Sequence, residues 1–205
     1  MSRYCSKCGK PNKACICPWI QSLSSNVELI ILQHPHEVDK PLGTARILGL
    51  SLANSQVLVG EDFSQLDELS ALLAEPNVQH YVLFPNDSSQ SAAALKACPH
   101  EEKIRVILLD GTWRKAYKMW QLSSNLHKLP SLHLPDDLVG NYRIRKAPDE
   151  NSLSTVEAGY HILSVLEPQS DFTPLLTAFE HMVEFQISQM PQGVYERNYG
   201  PRKNR

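Results

Sequence analysis

At Asp110-Gly111-Thr112-Trp113 an acid, a glycine, a hydroxyl and an indole follow one another. They stand where an apolar run, Ile104 to Leu109, gives way to a helical pattern bearing Arg114, Lys115 and Lys118. A strand-to-helix turn of this composition suits a pocket for a charged, nucleotide-like ligand, because open α/β sheets bind ligands beyond the carboxyl ends of their strands. Asp110 is the candidate catalytic group, either as a general base or as an acceptor that orients the nucleophile. An ordinary aspartate titrates near about 3.9, so it is an inefficient base unless burial raises it. The same side chain can cap the following helix through the N–H of Thr112 or Trp113. Downstream, Tyr142-Arg143-Ile144-Arg145-Lys146 places three cations within five residues, which suits a large anionic substrate.

A second chemical cluster opens the chain. Cys5, Cys8, Cys15 and Cys17 have the spacing C-x2-C-x6-C-x-C, with Gly9, Pro11 and Pro18 to turn the backbone. Four thiolates this close fit a closed tetrahedral zinc site, structural because no coordination position is left for water. An iron–sulfur cluster takes the same four ligands. So short a segment has no core of its own, and the metal supplies its folding energy. Lys7, Lys10 and Lys13 offset the charge of a tetrathiolate centre. Cys98, before Pro99, reads as a separate thiol.

The net charge of −2 conceals segregation. Residues 1–18 and the last nine residues each carry four cations and no acid. Val57 to Glu102 holds eight acids against Lys96, whereas Lys103 to Lys146 holds nine cations against three acids. If the basic segments converge in space they form a nucleic-acid footprint; if not, they are solvated faces. Apolar residues make up 42% of the 205, enough for one substantial core. There is no apolar run of bilayer length and no apolar leader after Met1, so a cytoplasmic, non-membrane protein is expected. The expected organisation is a cysteine-rich segment, 1–22, followed by one catalytic domain, 23–205.

The elements that position these residues follow from periodicity. Val27 to Leu32, Val57 to Val59, His80 to Phe84, Ile104 to Leu109 and Leu132 to Leu134 read as strands. Helices are expected from Thr44 to Ala53, over the run from Phe63 to Leu73 with Ser64 as cap, from Ser88 to Ala97, from Trp113 to Leu122, from Ser154 to Leu166, and from Thr173 to Ser188. Ser154 with Glu157 three residues on is a capping box. Strands alternating with helices predict an α/β fold with a parallel sheet covered on both faces. No glycine-rich dinucleotide turn follows the first strand, and no phosphate-binding lysine loop is present, which disfavours simple NAD enzymes and P-loop enzymes.

Asp110, Thr112 and Trp113 match the Asp-x-Thr-Trp motif of the DTW-domain family, and the chain resembles that family over nearly its whole length. The cysteine cluster, His34-Pro35 with Glu37, Thr44-Ala45-Arg46, Leu83-Phe84-Pro85, the Tyr142 to Lys146 block and Leu153-Ser154-Thr155-Val156-Glu157-Ala158 carry the resemblance. It looks most like the bacterial members, tRNA-uridine aminocarboxypropyltransferases. These place the 3-amino-3-carboxypropyl group of S-adenosylmethionine on N3 of a uridine in the tRNA variable loop. The resemblance implies a SPOUT-like parallel sheet flanked by helices with a knotted carboxy-terminal part; composition and periodicity do not show a knot.

It also implies site roles. Leu83, Phe84, Pro85, Leu109, Gly111, Thr112, Trp113, Leu134, Tyr142, Leu153, Ser154 and Thr155 are expected around S-adenosylmethionine. Arg46, Arg143, Arg145 and Lys146 are expected to clamp the cofactor carboxylate or RNA phosphates, and Cys5, Cys8, Cys15 and Cys17 to hold Zn²⁺. Trp113 either packs against the sheet or stacks on a base. His34 reads as a satisfied strand-end histidine or a catalytic one. A monomer binding tRNA is the expected state. Two other classes fit the same residues: a SPOUT-like RNA methyltransferase and a non-enzymatic zinc-containing RNA-binding protein.

Overall fold

Strands β1 (Glu28–Gln33), β2 (Ser55–Val59), β3 (Val78–Leu83), β4 (Gln90–Ser91), β5 (Lys103–Asp110) and β6 (Ser131–His133) form one sheet. Their order is β2-β1-β5-β3-β6-β4, and every pairing is parallel. The computed structural model describes residues 2–96, 103–135, 137–138, 140, 142–144 and 153–199. Seven helices are assigned among them: α1 (Ala45–Ser51), α2 (Asp67–Leu73), α3 (Ala92–Lys96), α4 (Trp113–Leu122), α5 (Thr155–Leu166), α6 (Thr173–Ser188) and α7 (Val194–Tyr199). None is long and apolar enough to cross a membrane.

The central strands β1 and β5 run apolar from Leu29 to Leu32 and from Val106 to Leu109 because both of their faces are covered, and β1 is buried at all six positions. Side chains alternate across the sheet with period two. Leu29, Ile31, Val106 and Leu108 enter one core with α1, α3, α5 and α6, while Ile30, Leu32 and Ile107 enter the other with α2 and α4. Helices α1 and α5 meet closely at Gly159, where a Cβ would come within 2.7 Å of a Leu48 methyl.

Three elements differ from the periodic reading. Helix α2 begins at Asp67; upstream, Ser64 donates its N–H to Asp62 Oδ1 at 2.8 Å within a turn. Helix α3 begins at Ala92 because Ser88 and Ser89 fold back onto Asn86 and Gln90–Ser91 pair with β6. Helix α7 packs Tyr195 and Tyr199, one turn apart, against the core, a pattern too short for periodicity to detect. Cys98, Arg145 and Lys146 lie outside the described residues, as does much of the chain joining β6 to α5 on which a knotted closure depends.

At the amino-terminal ends of the central strands Arg105, 1% exposed, binds Glu28 Oε2 through Nε at 2.8 Å and Glu75 Oε2 through Nη2 at 2.7 Å. Its Nη1 donates to the Leu72 carbonyl. Removing one partner of such a buried network costs about 3–5 kcal/mol. The network is therefore a matter of stability, at the end of the sheet opposite the motif residues. His80 sits beside Arg105 in the register, and neither of its ring nitrogens has a hydrogen-bond partner. Burial, then the Arg105 charge, pushes its pKa below the ordinary 6.5. A depressed histidine keeps the folded state from taking a proton that the unfolded chain accepts, so stability falls as pH drops below about 6.5. His80→Phe is expected to flatten that decline in urea unfolding followed from pH 7 to pH 5. His161, lowered by burial, retains the remainder.

Candidate functional site

The carboxyl ends of β3, β5 and β6 and the amino-terminal ends of α4 and α5 enclose a pocket of about 230 Å³. This is the sheet edge where parallel α/β folds place ligands. Of the residues expected around the cofactor, Leu83, Phe84, Pro85, Leu109, Gly111, Trp113, Leu134, Leu153, Ser154 and Thr155 line it. Leu108, Ala116, His133, Pro135, Leu138 and Ala158 join them and were not anticipated. Most of these are apolar neighbours of expected residues, one position away or one helical turn on. Phe84 is held flat against Trp120 on the inner face of α4, ring centroids 4.7 Å apart, so the wall is rigid at that point.

Thr112 and Tyr142 are placed elsewhere. Thr112 is the exposed N-cap of α4 and accepts from Lys115 N–H at 3.4 Å. Tyr142 donates its hydroxyl to the Leu42 carbonyl at 2.9 Å and meets Phe179 edge to face.

Asp110 ends β5, 6% exposed, and does not itself line the pocket. Its Oδ2 accepts from Gln33 Nε2 at 2.8 Å, and its Oδ1 accepts the hydroxyl of Thr155. Thr155 does line the pocket. A threonine whose single proton points back at a carboxylate presents oxygen lone pairs outward, so Thr155 meets a ligand as an acceptor. Next to it, Ser154 donates its N–H to Glu157 Oε2 at 2.7 Å and its side chain accepts the Glu157 N–H, the reciprocal closure its spacing predicts; the Ser154 hydroxyl also donates to Glu157 Oε2 at 2.6 Å.

His133 closes the opposite wall at the end of β6. Its Nδ1 lies 3.0 Å from Ser89 Oγ, while Ser89 spends its one hydroxyl proton on the Asn86 carbonyl at 2.8 Å. No sequence pattern marks His133; its pocket position follows from the pairing of β6 beside β3.

Of the predicted cations, Arg46 is tied inward. Its guanidinium donates to the Cys8 carbonyl and to the Val38 carbonyl, the latter at 3.2 Å. Arg143 is exposed and lies 3.7 Å from Glu184. His34 accepts the His36 N–H on Nδ1 at 3.1 Å, which leaves Nε2 to donate to Glu61 at 3.0 Å; it is a satisfied histidine.

The four cysteines gather into one cluster with all sulfurs within 4.8 Å of one another. Cys5 and Cys17, and Cys8 and Cys15, stand 3.7 Å apart. A tetrahedral ion with about 2.3 Å bonds to sulfur has edges of about 3.8 Å, so the set fits one ion. An iron–sulfur cluster spreads four thiolates over two or four irons, so sulfurs on different irons stand further apart than in this set. The Cys5–Cys8 turn is closed by Gly9 N–H to the Cys5 carbonyl and Cys5 N–H to the Lys10 carbonyl, both 2.8 Å. Gly9 adopts φ +66°, and a Cβ there would strike the Arg46 guanidinium. Backbone N–H groups of Cys8 and Lys7 draw the Cys5 thiol down to about 6. Burial, then the neighbouring cysteines, pushes Cys17 up to about 12. Four thiols this crowded ionise together only with a cation among them. The segment is not separate in its packing, for Cys8 and Ile16 belong to the same core as α5 and α6, and Trp19 stacks on His181 of α6 at 3.7 Å.

Asp110, Thr112 and Trp113, at the turn after β5, spell the motif that gives a known family its name. The DTW domain matches residues 2–187, and the chain belongs to that family. It is 32% identical over 182 residues to tRNA-uridine aminocarboxypropyltransferase 2 of Drosophila melanogaster, an alignment covering 84% of this chain and 70% of that one. The protein of the same name in Macaca fascicularis is 28% identical, covering 89% and 63%. tRNA-uridine aminocarboxypropyltransferase A of Arabidopsis thaliana is 27% identical, covering 90% and 81%. The chain thus spans somewhat less than two thirds of the macaque relative and more of the other two. These relatives are animal and plant proteins, so the likeness is to the family rather than to a bacterial branch of it. No solved structure matches the chain significantly.

Proposed function

We propose that this chain transfers the 3-amino-3-carboxypropyl group of S-adenosylmethionine to N3 of a uridine in the variable loop of tRNA, releasing methylthioadenosine. The observation that carries this reading is that the Asp-x-Thr-Trp turn ends β5 at the pocket, in a chain 32% identical to a relative whose printed name is tRNA-uridine aminocarboxypropyltransferase 2. The pocket chemistry is compatible with the donor. Leu83, Phe84, Leu109, Leu134 and Leu138 offer apolar walls to adenosine, and the Thr155 oxygen offers an acceptor to an ammonium. The donor's sulfonium supplies a leaving group, so the residues have to select which carbon faces the nucleophile, a task of positioning.

A tRNA partner is supported by the outer face of α4. Trp113 and Tyr117, one turn apart, are 44% and 58% exposed, and the helix carries three cations and no acid. Exposed aromatics beside cations are a stacking and phosphate surface for RNA. The cysteine cluster holds a structural Zn²⁺ in this reading, and Arg143 with the neighbouring Arg145 and Lys146 meets phosphates. A monomer is the proposed state. The parallel sheet is also compatible with a SPOUT-like knotted closure.

The test is incubation of the purified protein with unmodified bulk tRNA and S-adenosylmethionine. Methylthioadenosine and an aminocarboxypropylated uridine are expected. S-adenosylhomocysteine with a methylated nucleoside would establish the methyltransferase reading instead. RNA binding without any bound donor would leave a binding protein.

A further inference from the structure

The geometry points to His133 as the general base that takes the N3 proton from the acceptor uridine, a role that rests on the transfer reaction proposed above. Among the described residues lining the pocket, His133 is the only side chain with a basic atom. Its tautomer follows from its neighbours. Ser89 Oγ donates to the Asn86 carbonyl at 2.8 Å and accepts the Asn86 N–H at 3.3 Å, so it has no second proton to give. With the Ser89 hydroxyl on the Asn86 carbonyl, the 3.0 Å contact between Ser89 Oγ and His133 Nδ1 is a donation from Nδ1. Nε2 is left as an acceptor, and no described residue bonds to it. Asn86 is itself anchored, its Nδ2 donating to Ser131 Oγ at 2.8 Å, so the β3–β4 loop that meets the ring through Ser89 is tied to β6. Asp110 does not stand on the pocket wall, and its Oδ1 accepts from Thr155.

Uridine N3 carries a hydrogen and attacks carbon only once that proton leaves. In the proposed step N3–H gives its proton to His133 Nε2. The freed pair on N3 forms the bond to the γ-carbon of the donor, and the pair of the breaking carbon–sulfur bond stays on sulfur as neutral methylthioadenosine. The imidazolium returns its proton to water. Ser89 is a positioning residue, holding the tautomer without touching the base.

The test uses the full chain. Nitrogen-15 NMR of the histidine rings should show His133 protonated on Nδ1 and not on Nε2. His133→Ala should lower single-turnover transfer at saturating S-adenosylmethionine by about 10²–10⁴-fold, the usual contribution of a general base. Added imidazole should restore part of that rate, and His133→Gln, similar in shape but not basic, should not. An Nε2–H ring in the NMR would overturn the proposal whether or not the variants fold. So would transfer by His133→Ala at the wild-type rate, or a loss that imidazole leaves untouched. Failure of the wild-type chain to form methylthioadenosine would count against the proposed reaction instead, which separates the two.

Discussion

Asp110→Asn is expected to lower aminocarboxypropyl transfer by about 10²-fold or more, the usual cost of misplacing a reacting group by about an ångström. Asp110 accepts on both oxygens, from Gln33 Nε2 at 2.8 Å and from the Thr155 hydroxyl. An asparagine turns one of those acceptors into a donor. If its amide faces Thr155, the threonine proton swings into the pocket and the acceptor surface is lost; if it faces Gln33, two buried amide donors oppose each other. Asp110→Ala leaves both partners unpaired and costs a further stability loss of about 1.5–3 kcal/mol, typical of a hydrogen bond to a charged group. The role assigned to Asp110 is positioning, exerted through Thr155. Thr155→Val should then reproduce the rate loss and Thr155→Ser should largely restore it, each measured as single-turnover rate alongside donor affinity. Near-normal turnover by Asp110→Asn, with the protein folded, would remove Asp110 from the reaction.

Cys8→Ser is expected to release the metal and loosen the amino-terminal segment. Cys8 is fully buried, and its carbonyl accepts the Arg46 guanidinium, so the metal site and α1 are tied at one residue. Structural zinc contributes about 10–16 kcal/mol in small zinc peptides at neutral pH, far more than the segment's own contacts supply. The wild-type chain should carry one zinc by elemental analysis, with four protected thiols. Chelation, or acidification that protonates the thiolates, should remove the metal. Hydrogen exchange should then quicken from residue 3 to about residue 22, while β1 and β5 stay protected. A wild-type chain with no metal and four reactive thiols would refute the site.

The strands from β1 to β3 and the β5-to-α4 turn were legible because each announces itself locally: a buried strand is apolar without interruption and a helix repeats its apolar residues every three or four positions. The same holds for the Ser154–Glu157 capping box and for the cysteine spacing, whose ligands are close in sequence. The family resemblance reached further, naming ten residues that the structure gathers around one pocket. It did not separate side chains that point into that pocket from those that brace it. Tyr142 and Arg46 look like binding residues by type, yet one is pinned to the Leu42 carbonyl and the other to the Cys8 carbonyl. Trp113 and Trp120 share a helix, but α4 crosses the sheet so that Trp120 packs on Phe84 and Trp113 stays 44% exposed.

His133 is the plainest case of information absent from local pattern. It is the last residue of a three-residue strand, and only the order β5-β3-β6 brings it to face α5 across the pocket. Likewise the Asp110–Thr155 contact joins residues 45 apart in the chain. The amino-acid sequence by itself determined the α/β class, the turn after β5 and a metal-ligand set, because each depends on interactions between near neighbours. The tertiary structure alone decided strand order, which polar groups meet, and which face water, because those depend on how distant segments bury their apolar faces against one another.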